Sequence, residues 1–289
     1  MKRYLLAAVL CLTCVFAGTS CTTPATTPAD RAAGSQALAV LGAFNQEVML
    51  LQGMLTEAQS REIEGIQFIS GRIGDQPVVI AWTGVGKVNT AMTTTLLLEH
   101  FQPKYVVFTG IAGGVDPNLE PGDIVIARQT AYHDMGTLWT QGIEHGGVKS
   151  RMTGNPNPVF FPADPTLFAA AERACRKMTF NAAALRTGRR PPKVVVGTVV
   201  TGDVFVASKE RCADLADKLG ADAVEMEGAA VAQLCYQREV GCLVIRSISD
   251  KADEEAIMDK QLFYTMAAKN SAGLVVETVR ALTRGGNEE

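Results

Sequence analysis

Two glutamates around a methionine, Glu225 and Glu227, stand where an apolar run gives way to a helical pattern in residues 221–230. The run predicts a short buried strand followed directly by a helix. Residues i and i+2 of an extended chain point to the same side, so we expect both carboxylates on one face with Met226 opposite. Carboxylates held close together in a partly dry site repel, and a cation, hydrogen-bond donors or a catalytic use must offset that cost. The pattern fits a ligand site at a strand end and, equally, an acidic first helical turn that suits the helix dipole.

Further polar and glycine residues stand at the ends of other predicted strands. Glu47 follows the apolar residues 37–43 at a strand-to-helix junction, where a helix-start acid is the alternative interpretation. Asp250 ends a later apolar strand. Residues 83–87 and 110–114 are glycine-rich, which indicates close backbone approach to a ligand, although a short glycine motif alone is weak evidence.

These residues must be positioned by strands and helices that alternate along the chain. The hydrophobic patterns predict buried strands without polar alternation, as in parallel sheets, and a hairpin around residues 74–75. The predicted strands cover residues 37–43, 67–71, 77–83, 105–109, 123–131, 193–201 and 242–247. The predicted helices cover residues 87–101, 165–177, 208–219, 228–238 and about 260–283. We therefore expect a single α/β domain of three αβα layers, with helices on both faces of a mixed, largely parallel sheet.

The composition excludes some classes of protein. Apolar residues make up 47% of the 289 residues, enough for a sizeable core. The formal net charge of −3 provides no basic footprint, so we expect no nucleic-acid partner, whereas a small nucleoside ligand stays open. His133 and His145 lack a third partner in the sequence, and the cysteines at 175, 212, 235 and 242 lack metal-type spacing. We expect no bound metal, and we expect Cys235 and Cys242 to pack in the core.

The first 36 residues carry a targeting pattern. Lys2 and Arg3 precede a short apolar run, residues 4–17, as in a secretory signal. Cleavage after Ala17 competes with a lipobox-like interpretation, in which Cys21 is lipidated and the Thr- and Pro-rich residues 22–34 form a tether. We expect a signal in residues 1–21, a tether in 22–36 and one folded domain in 37–289. The protein would then be exported, either periplasmic or anchored to a membrane as a lipoprotein.

In their order along the chain, the strand ends resemble the nucleoside phosphorylase and nucleosidase superfamily, and within it the 5′-methylthioadenosine/S-adenosylhomocysteine nucleosidases most. The likeness runs from residue 37 to near the C-terminus, and the ordered set is specific although no single motif is. The matching stretches are residues 42–43 with 47–48, 83–88, 96–100, 109–110 with 112–114, 121–125, 132–134, 201–203, 224–227 and 246–250. The resemblance implies a nucleoside phosphorylase-like fold.

The resemblance also implies hydrolysis of the N-glycosidic bond of an adenine nucleoside, without a cofactor. Glu47 would activate a water against C1′, Asp250 would protonate N7 of the leaving base, and Glu227 would bind the ribose hydroxyls. This is the two-carboxylate logic of glycoside hydrolysis. Further substrate contacts implied by the resemblance come from Glu225, Met226, Phe205, Val206, Val85, Ile111, Ala112, Gly113 and Ser249. We expect Arg246 to offset the charge of Glu225.

We interpret the glycine- and proline-rich residues 135–162 as one long loop, of the kind that forms lids or interfaces. The resemblance implies a homodimer in which this loop reaches towards the partner's active site. Burial at an interface would cover its apolar groups, which are Leu138, Trp139, Ile143, Val148, Met152, Val159, Phe160 and Phe161.

Three features depart from the family pattern and keep alternatives open. Ile111 stands where the family typically has serine, residues 44–46 replace an acidic run, and the segment after Asp134 is longer. One alternative is a phosphorylase, which would need arginines to bind phosphate, and the sequence suggests none near the glycines at 42, 84 and 110. A second alternative is a nucleosidase that acts on a different purine nucleoside. A non-catalytic nucleoside-binding protein is a third, but a pure binder needs no carboxylate to activate water.

Overall fold

The computed structural model describes residues 37–178, 183–185 and 188–285, so the predicted signal, tether and Cys21 lie outside the described residues. The strands are β1 (Leu38–Gly42), β2 (Thr56–Ile63), β3 (Ile66–Ile73), β4 (Gln76–Trp82), β5 (Tyr105–Gly114), β6 (Ile124–Tyr132), β7 (Gly136–Trp139), β8 (Gly142–His145), β9 (Phe160–Pro162), β10 (Ala183–Leu185), β11 (Gly188–Arg190), β12 (Val194–Thr201), β13 (Ala223–Glu225) and β14 (Gly241–Asp250). The helices are α1 (Asn45–Gln52), α2 (Lys87–His100), α3 (Pro165–Lys177), α4 (Lys209–Leu219), α5 (Gly228–Gln237) and α6 (Ala256–Gly285). Within these ranges, no helix has both the length and the apolar character needed to cross a membrane.

One large sheet organises the domain, with the strand order β13-β12-β6-β14-β5-β1-β4-β3-β2. The central pairs β4–β1, β1–β5 and β5–β14 are parallel, as are β6–β12 and β12–β13. The pairs β6–β14, β2–β3 and β3–β4 are antiparallel. β1 is buried at every residue, which accounts for its lack of polar alternation. The predicted mixed, largely parallel sheet is confirmed.

Helices cover both faces of this sheet. Alternate residues of β1 point to opposite faces, so Leu41 and Val40 enter different apolar cores. The core around Leu41 includes Leu97 of α2 and Val231 of α5. The core around Val40 includes side chains from α1, α3 and α6, among them Leu51, Leu167 and Val275. The three-layer αβα prediction is therefore also confirmed.

The predicted end of the strand at residue 109 is wrong, because the glycine-rich residues 110–114 form the second half of β5. β14 pairs with β5 in parallel as far as Asp250, and β13 pairs with Gly113 and Gly114 from the other side. The backbone N–H and C=O groups of the glycines thus find partners in the sheet, which a sharp turn would not provide. The pairing therefore places Arg246 and Asp250 of β14 beside Gly110 and Gly113 of β5.

The interpretation of residues 135–162 as one long loop is also wrong. β7 and β8 form a hairpin, and β9 adds to β6 as an antiparallel strand. Phe161 is buried, and Val159 and Phe160 are partly buried against a core of their own subunit. β2 went unpredicted because it is a polar, mostly exposed strand at the edge of the sheet.

Candidate active site

A pocket opens where β1, β5, β13 and β14 end, with a volume of about 520 Å³ including its open mouth. This is within the size range of small-molecule sites. Its lining comprises Ala43, Phe44, Glu47, Val85, Ile111, Ala112, Gly113, Val204, Phe205, Val206, Val224, Glu225, Met226, Glu227, Ser249, Asp250 and Lys260. Every catalytic and substrate-contact residue suggested by the sequence lies in this one lining. Folding thus brings together side chains that are separated by up to 203 positions, from Glu47 to Asp250.

Glu47 lies in the first turn of α1 and is almost fully buried, with an exposed fraction of 1%. Its Oε2 accepts hydrogen bonds from the backbone N–H of Ala43 (2.7 Å) and Phe44 (3.0 Å), and its Oε1 accepts one from Ile111 (3.1 Å). Burial raises the pKa of this carboxyl, against the opposing effects of Arg246 and the three N–H donors. A fixed carboxylate with a raised pKa is suited to accept a proton from water near neutral pH.

Glu225 is held by more partners than any other carboxylate described in this pocket. It forms an ion pair with Arg246, accepts a hydrogen bond from the Thr201 hydroxyl, and accepts others from the backbone N–H of Glu227 (3.0 Å) and Gly228 (2.8 Å). The expected pairing with Arg246 is confirmed. Because the last two donors are the unpaired N–H groups at the start of α5, Glu225 also closes the beginning of that helix. The oxygens of Glu225 are thus already bound by groups of the protein, whereas the substrate contact that the resemblance implies for Glu225 stays a prediction.

Arg246 is completely buried on β14 and joins the two glutamates. Its guanidinium lies 4.2 Å from the centre of the Phe108 ring and donates to the carbonyl of Thr109 at 3.1 Å. Arg246 pairs with Gly110 in the register of β14 on β5, and a Cβ at residue 110 would overlap its guanidinium. The sequence-based view that no arginine lies near this glycine is therefore wrong. The guanidinium is nevertheless not free to bind phosphate, because its Nη2 faces the carboxylates of both Glu225 and Glu227.

Glu227 faces the pocket between a backbone donor and a guanidinium. Its Oε1 accepts a hydrogen bond from the N–H of Gly86 (2.8 Å), and its Oε2 lies 3.7 Å from Arg246 Nη2. Burial, together with the neighbouring Glu225 carboxylate, raises its pKa. Gly86 has a φ of 90°, a backbone conformation that favours glycine, which explains the glycine motif at residues 84–86. Both glutamates of the sequence motif approach the same guanidinium, as expected for carboxylates on one face.

The lysine that follows this glycine motif does not line the pocket. Lys87 Nζ forms an ion pair with Asp134 at 2.7 Å, and its backbone N–H donates to Asp203 at 2.7 Å. The N–H of Asp203 in turn donates to Asp134 at 2.8 Å. This network fastens the segment that carries Phe205 and Val206 to the start of α2. It gives Phe205 and Val206, two of the substrate contacts that the resemblance implies, a fixed position.

Asp250 ends β14 and has an exposed fraction of 2%. The Ser249 hydroxyl donates to its Oδ2 at 2.7 Å, and the N–H of Ala252 donates to its Oδ1 at 2.9 Å. Burial raises its pKa and outweighs these two donors, so a protonated Asp250 persists to higher pH than an exposed aspartate. A Cβ at Gly113 would lie 2.9 Å from Oδ1, so the glycine makes room for the carboxyl.

The sequence analysis missed some of the lining, notably Phe44, Val204 and Lys260. Phe44 is the residue before α1 and its ring packs edge-on against Tyr264 with centroids 5.8 Å apart. Lys260 lies on α6, where a charged residue ordinarily indicates only a solvated face. No sequence pattern distinguishes Lys260 from the other charges of that helix. Among the described residues, no cluster of His, Cys, Asp and Glu is arranged to hold a metal ion.

The arrangement brings three buried carboxylates, Glu47, Glu227 and Asp250, into one pocket. Apolar side chains, including Phe205, Val206 and Met226, form much of the remaining wall. Such a wall suits a flat heteroaromatic ring and a sugar face. A base and an acid in one apolar pocket can cleave a glycosidic bond by activating water and protonating the leaving group.

Comparisons with known proteins agree with this chemistry. The model of the Phosphorylase superfamily matches residues 37–280. A 5′-methylthioadenosine/S-adenosylhomocysteine nucleosidase of Bacillus thuringiensis (strain Al Hakam) is 36% identical over 246 residues, 85% of this chain and 99% of the relative. The Neisseria meningitidis enzyme of that name, solved in complex with methylthio-immucillin-A, is 35% identical with a TM-score of 0.74, covering 85% of this chain and 99% of the other. Futalosine hydrolase of Helicobacter pylori is 29% identical with a TM-score of 0.70, covering 85% and 97%.

Proposed function

Because this chain belongs to the phosphorylase superfamily, we propose that it is a purine nucleoside N-glycosidase. Its substrates are nucleosides like 5′-methylthioadenosine and S-adenosylhomocysteine, which it hydrolyses to adenine and the thioribose. The observation that carries this proposal is the convergence of Glu47, Glu227 and Asp250 on one pocket. A protein that only binds nucleosides needs neither a buried base nor a buried acid, which argues against the non-catalytic alternative.

In the proposed reaction, Glu47 accepts a proton from the water that attacks C1′. Asp250 gives its proton to N7 of the leaving adenine, so the base departs neutral. Glu227 accepts hydrogen bonds from the ribose hydroxyls while the sugar becomes oxocarbenium-like in the transition state. Arg246 keeps the oxygens of Glu225 and Glu227 in place, so the carboxylates do not have to reorganise during the reaction.

Water, and not phosphate, is the proposed nucleophile. Phosphate recognition ordinarily uses a free arginine fork, whereas Arg246 is already paired with Glu225 and close to Glu227. A phosphate dianion placed beside Glu47 and Glu227 would also meet two carboxylates.

We therefore expect adenine release at the same rate with and without inorganic phosphate, and a free reducing sugar as the second product. The measurement is chromatography of the products of 5′-methylthioadenosine in phosphate-free buffer and in buffer with added phosphate. A sugar 1-phosphate among the products, or a rate that rises with phosphate, would instead establish a phosphorylase. Inosine-type nucleosides in the same assay, scored for hypoxanthine, separate this proposal from another purine nucleosidase.

We also propose that the working unit is a homodimer built partly by residues 135–162. Leu138, Trp139 and Met152 in this segment are exposed by 77%, 52% and 62% of their surface, which is unusual for large apolar side chains. Sedimentation of the domain should give the mass of two chains, and Leu138→Glu should shift the equilibrium towards monomer. A wild-type monomer with full activity would exclude both the dimer and a shared active site.

Export with lipid attachment at Cys21 is a further proposal, supported by the signal-like residues 1–17, the cysteine and the tether that follows. We expect native protein in the membrane fraction and a Cys21→Ala variant in the soluble fraction. Native protein found only in soluble extracts from outside the cytoplasm would favour cleavage after Ala17 without lipidation.

A further inference from the structure

Lys260 is the only basic residue among the described side chains that line the pocket. The other charged groups in the lining are the carboxylates of Glu47, Glu225, Glu227 and Asp250. Lys260 lies near the beginning of α6 and is partly buried. Neither the proposed base, the proposed acid nor the sugar-binding carboxylate requires this cation, so the mechanism leaves it without a role.

The ammonium of Lys260 lies within cation–π distance of two aromatic rings that line the pocket. Its Nζ lies 5.1 Å from the ring centre of Phe205 and 5.8 Å from that of Phe44. In the described part of the chain, no carboxylate oxygen lies within 4 Å of this nitrogen, whereas Lys87, Lys209, Lys218 and Lys251 each have one. The rings hold the side chain over the pocket and leave its hydrogen-bond donors for a ligand.

A cation in this position works against the proposed reaction unless something neutralises it. Positive charge develops on the sugar in the transition state, and a lysine at the same pocket repels it. A nucleoside with a neutral 5′ group gains nothing that compensates for this repulsion. A substrate that brings its own negative charge to Lys260 would remove the cost and gain a charge-assisted hydrogen bond.

The geometry of the other groups indicates which part of a nucleoside meets Lys260. In the proposed reaction Asp250, hydrogen-bonded to Ser249, contacts the base. Glu227, which accepts a hydrogen bond from Gly86, contacts the 2′ and 3′ hydroxyls. Phe44, one of the two rings beside Lys260, directly precedes the helix that carries Glu47 and therefore lies next to the group that acts on the sugar. With the base and the 2′ and 3′ hydroxyls assigned to other residues, the edge of the sugar that bears C5′ is the part that remains to face Phe44 and Lys260.

We propose that Lys260 is a specificity-determining residue that binds a carboxylate at the end of the 5′ substituent. The enzyme would then prefer adenine nucleosides with a 5′-carboxyalkylthio chain over those with a neutral 5′-alkylthio group. This inference rests on the proposed nucleosidase function. It narrows the substrate class and assigns a role to a residue that the reaction itself does not use.

The test compares two substrates that differ only in charge: 5′-(2-carboxyethylthio)-5′-deoxyadenosine and the corresponding carboxamide, with 5′-methylthioadenosine as the neutral reference. We expect the wild type to cleave the acid with a kcat/KM about tenfold higher than the amide at low ionic strength, and the ratio to fall as salt is added. Lys260→Met should bring the ratio to about one, because kcat/KM for the acid falls while that for the two neutral substrates rises as the repulsion of the sugar is relieved, and Lys260→Arg should restore the preference. Lys104→Met is the matched control, because Lys104 also lies over an aromatic ring, Tyr105, but outside the pocket.

The alternative role for Lys260 is to adjust the acidity of Asp250, whose pKa is raised by burial while Lys260 opposes that rise. In that case Lys260→Met would change all three substrates alike and move the pH profile, which would overturn the proposal. Efficient, Lys260-dependent cleavage of adenosine 5′-phosphate, without a preference for the acid over the amide, would overturn the assignment to a carboxylate. If 5′-methylthioadenosine is hydrolysed but the acid has no advantage, only this inference fails. If no substrate releases adenine, the proposed function fails with it.

Discussion

Replacing Glu47 with glutamine is expected to lower kcat for adenine release by about 10²–10⁴-fold, the usual contribution of a general base. Glutamine has nearly the same shape but cannot accept the proton that the attacking water loses. Nucleoside binding should persist, because the base and hydroxyl contacts lie on other residues. The measurements are single-turnover adenine release and calorimetric titration of the inactive variant with 5′-methylthioadenosine.

The backbone donors around Glu47 are also expected to make the Glu47→Gln variant less stable than the wild type. Both carboxylate oxygens accept only backbone N–H groups, so the amide NH₂ of glutamine must face at least one donor. The better orientation turns the NH₂ towards Ile111, where it meets one N–H instead of two. An unsatisfied buried donor costs about 1–3 kcal/mol, so we expect a lower unfolding temperature as well. Glu62→Gln, at an exposed position on β2, is the control for the chemical change itself. A Glu47→Gln variant that is folded, binds substrate and turns over at the wild-type rate would exclude Glu47 as the base.

Replacing Asp250 with asparagine is expected to reduce cleavage of purine nucleosides by a similar factor of about 10²–10⁴, because the adenine must then leave unprotonated. A p-nitrophenyl riboside has a leaving group that needs no proton, so its cleavage should fall far less. Comparing the two substrates on one variant separates acid catalysis from structural damage. Equal losses on both substrates would mean that Asp250 acts through structure.

Asparagine should fit this site better than glutamine fits the site of Glu47. The N–H of Ala252 can donate to the amide oxygen, while the Ser249 hydroxyl, now acting as acceptor for the amide NH₂, can still donate to Ala112. We therefore expect Asp250→Asn to be nearly as stable as the wild type. Thermal unfolding of the two variants side by side tests this difference.

The pH profile provides an independent check on both roles. Glu47 must be ionised, so kcat/KM should fall as the pH decreases through its raised pKa. Asp250 must be protonated, so kcat/KM should fall as the pH increases through its raised pKa. In the Asp250→Asn variant the alkaline decrease should disappear from the residual activity, while the acidic decrease stays.

How much could be predicted from the sequence depends on how local each signal is. The carboxylates at positions 47 and 250 follow long apolar strands, and the end of a buried strand is where a polar side chain is conspicuous. The contact between Arg246 and Gly110 depends instead on the register of β14 on β5, across 136 positions of chain, and no local pattern encodes a register. Lys260 lies on a helix among other charged residues, so only the way α6 packs distinguishes it. The strand character of residues 110–114 comes from pairing with β13 and β14, which overrides the preference of glycine for turns.

The burial of Arg246 between two glutamates restricts the order in which substitutions can accumulate at this site. Removing the arginine alone leaves the Glu225 carboxylate buried without its counter-ion, a change that typically costs about 3–5 kcal/mol and can exceed the stability margin of a domain. Adding any side chain at Gly110 displaces the same guanidinium, so the two changes act on one interaction and are not additive. A simultaneous exchange of Glu225 and Arg246 for a packed apolar pair avoids the uncompensated charge of either single step, but it leaves the N–H groups of Glu227 and Gly228 without their acceptor. The three positions therefore form one epistatic unit, and a mutational path to a different pocket must cross a poorly folded intermediate or change the pair in a single event.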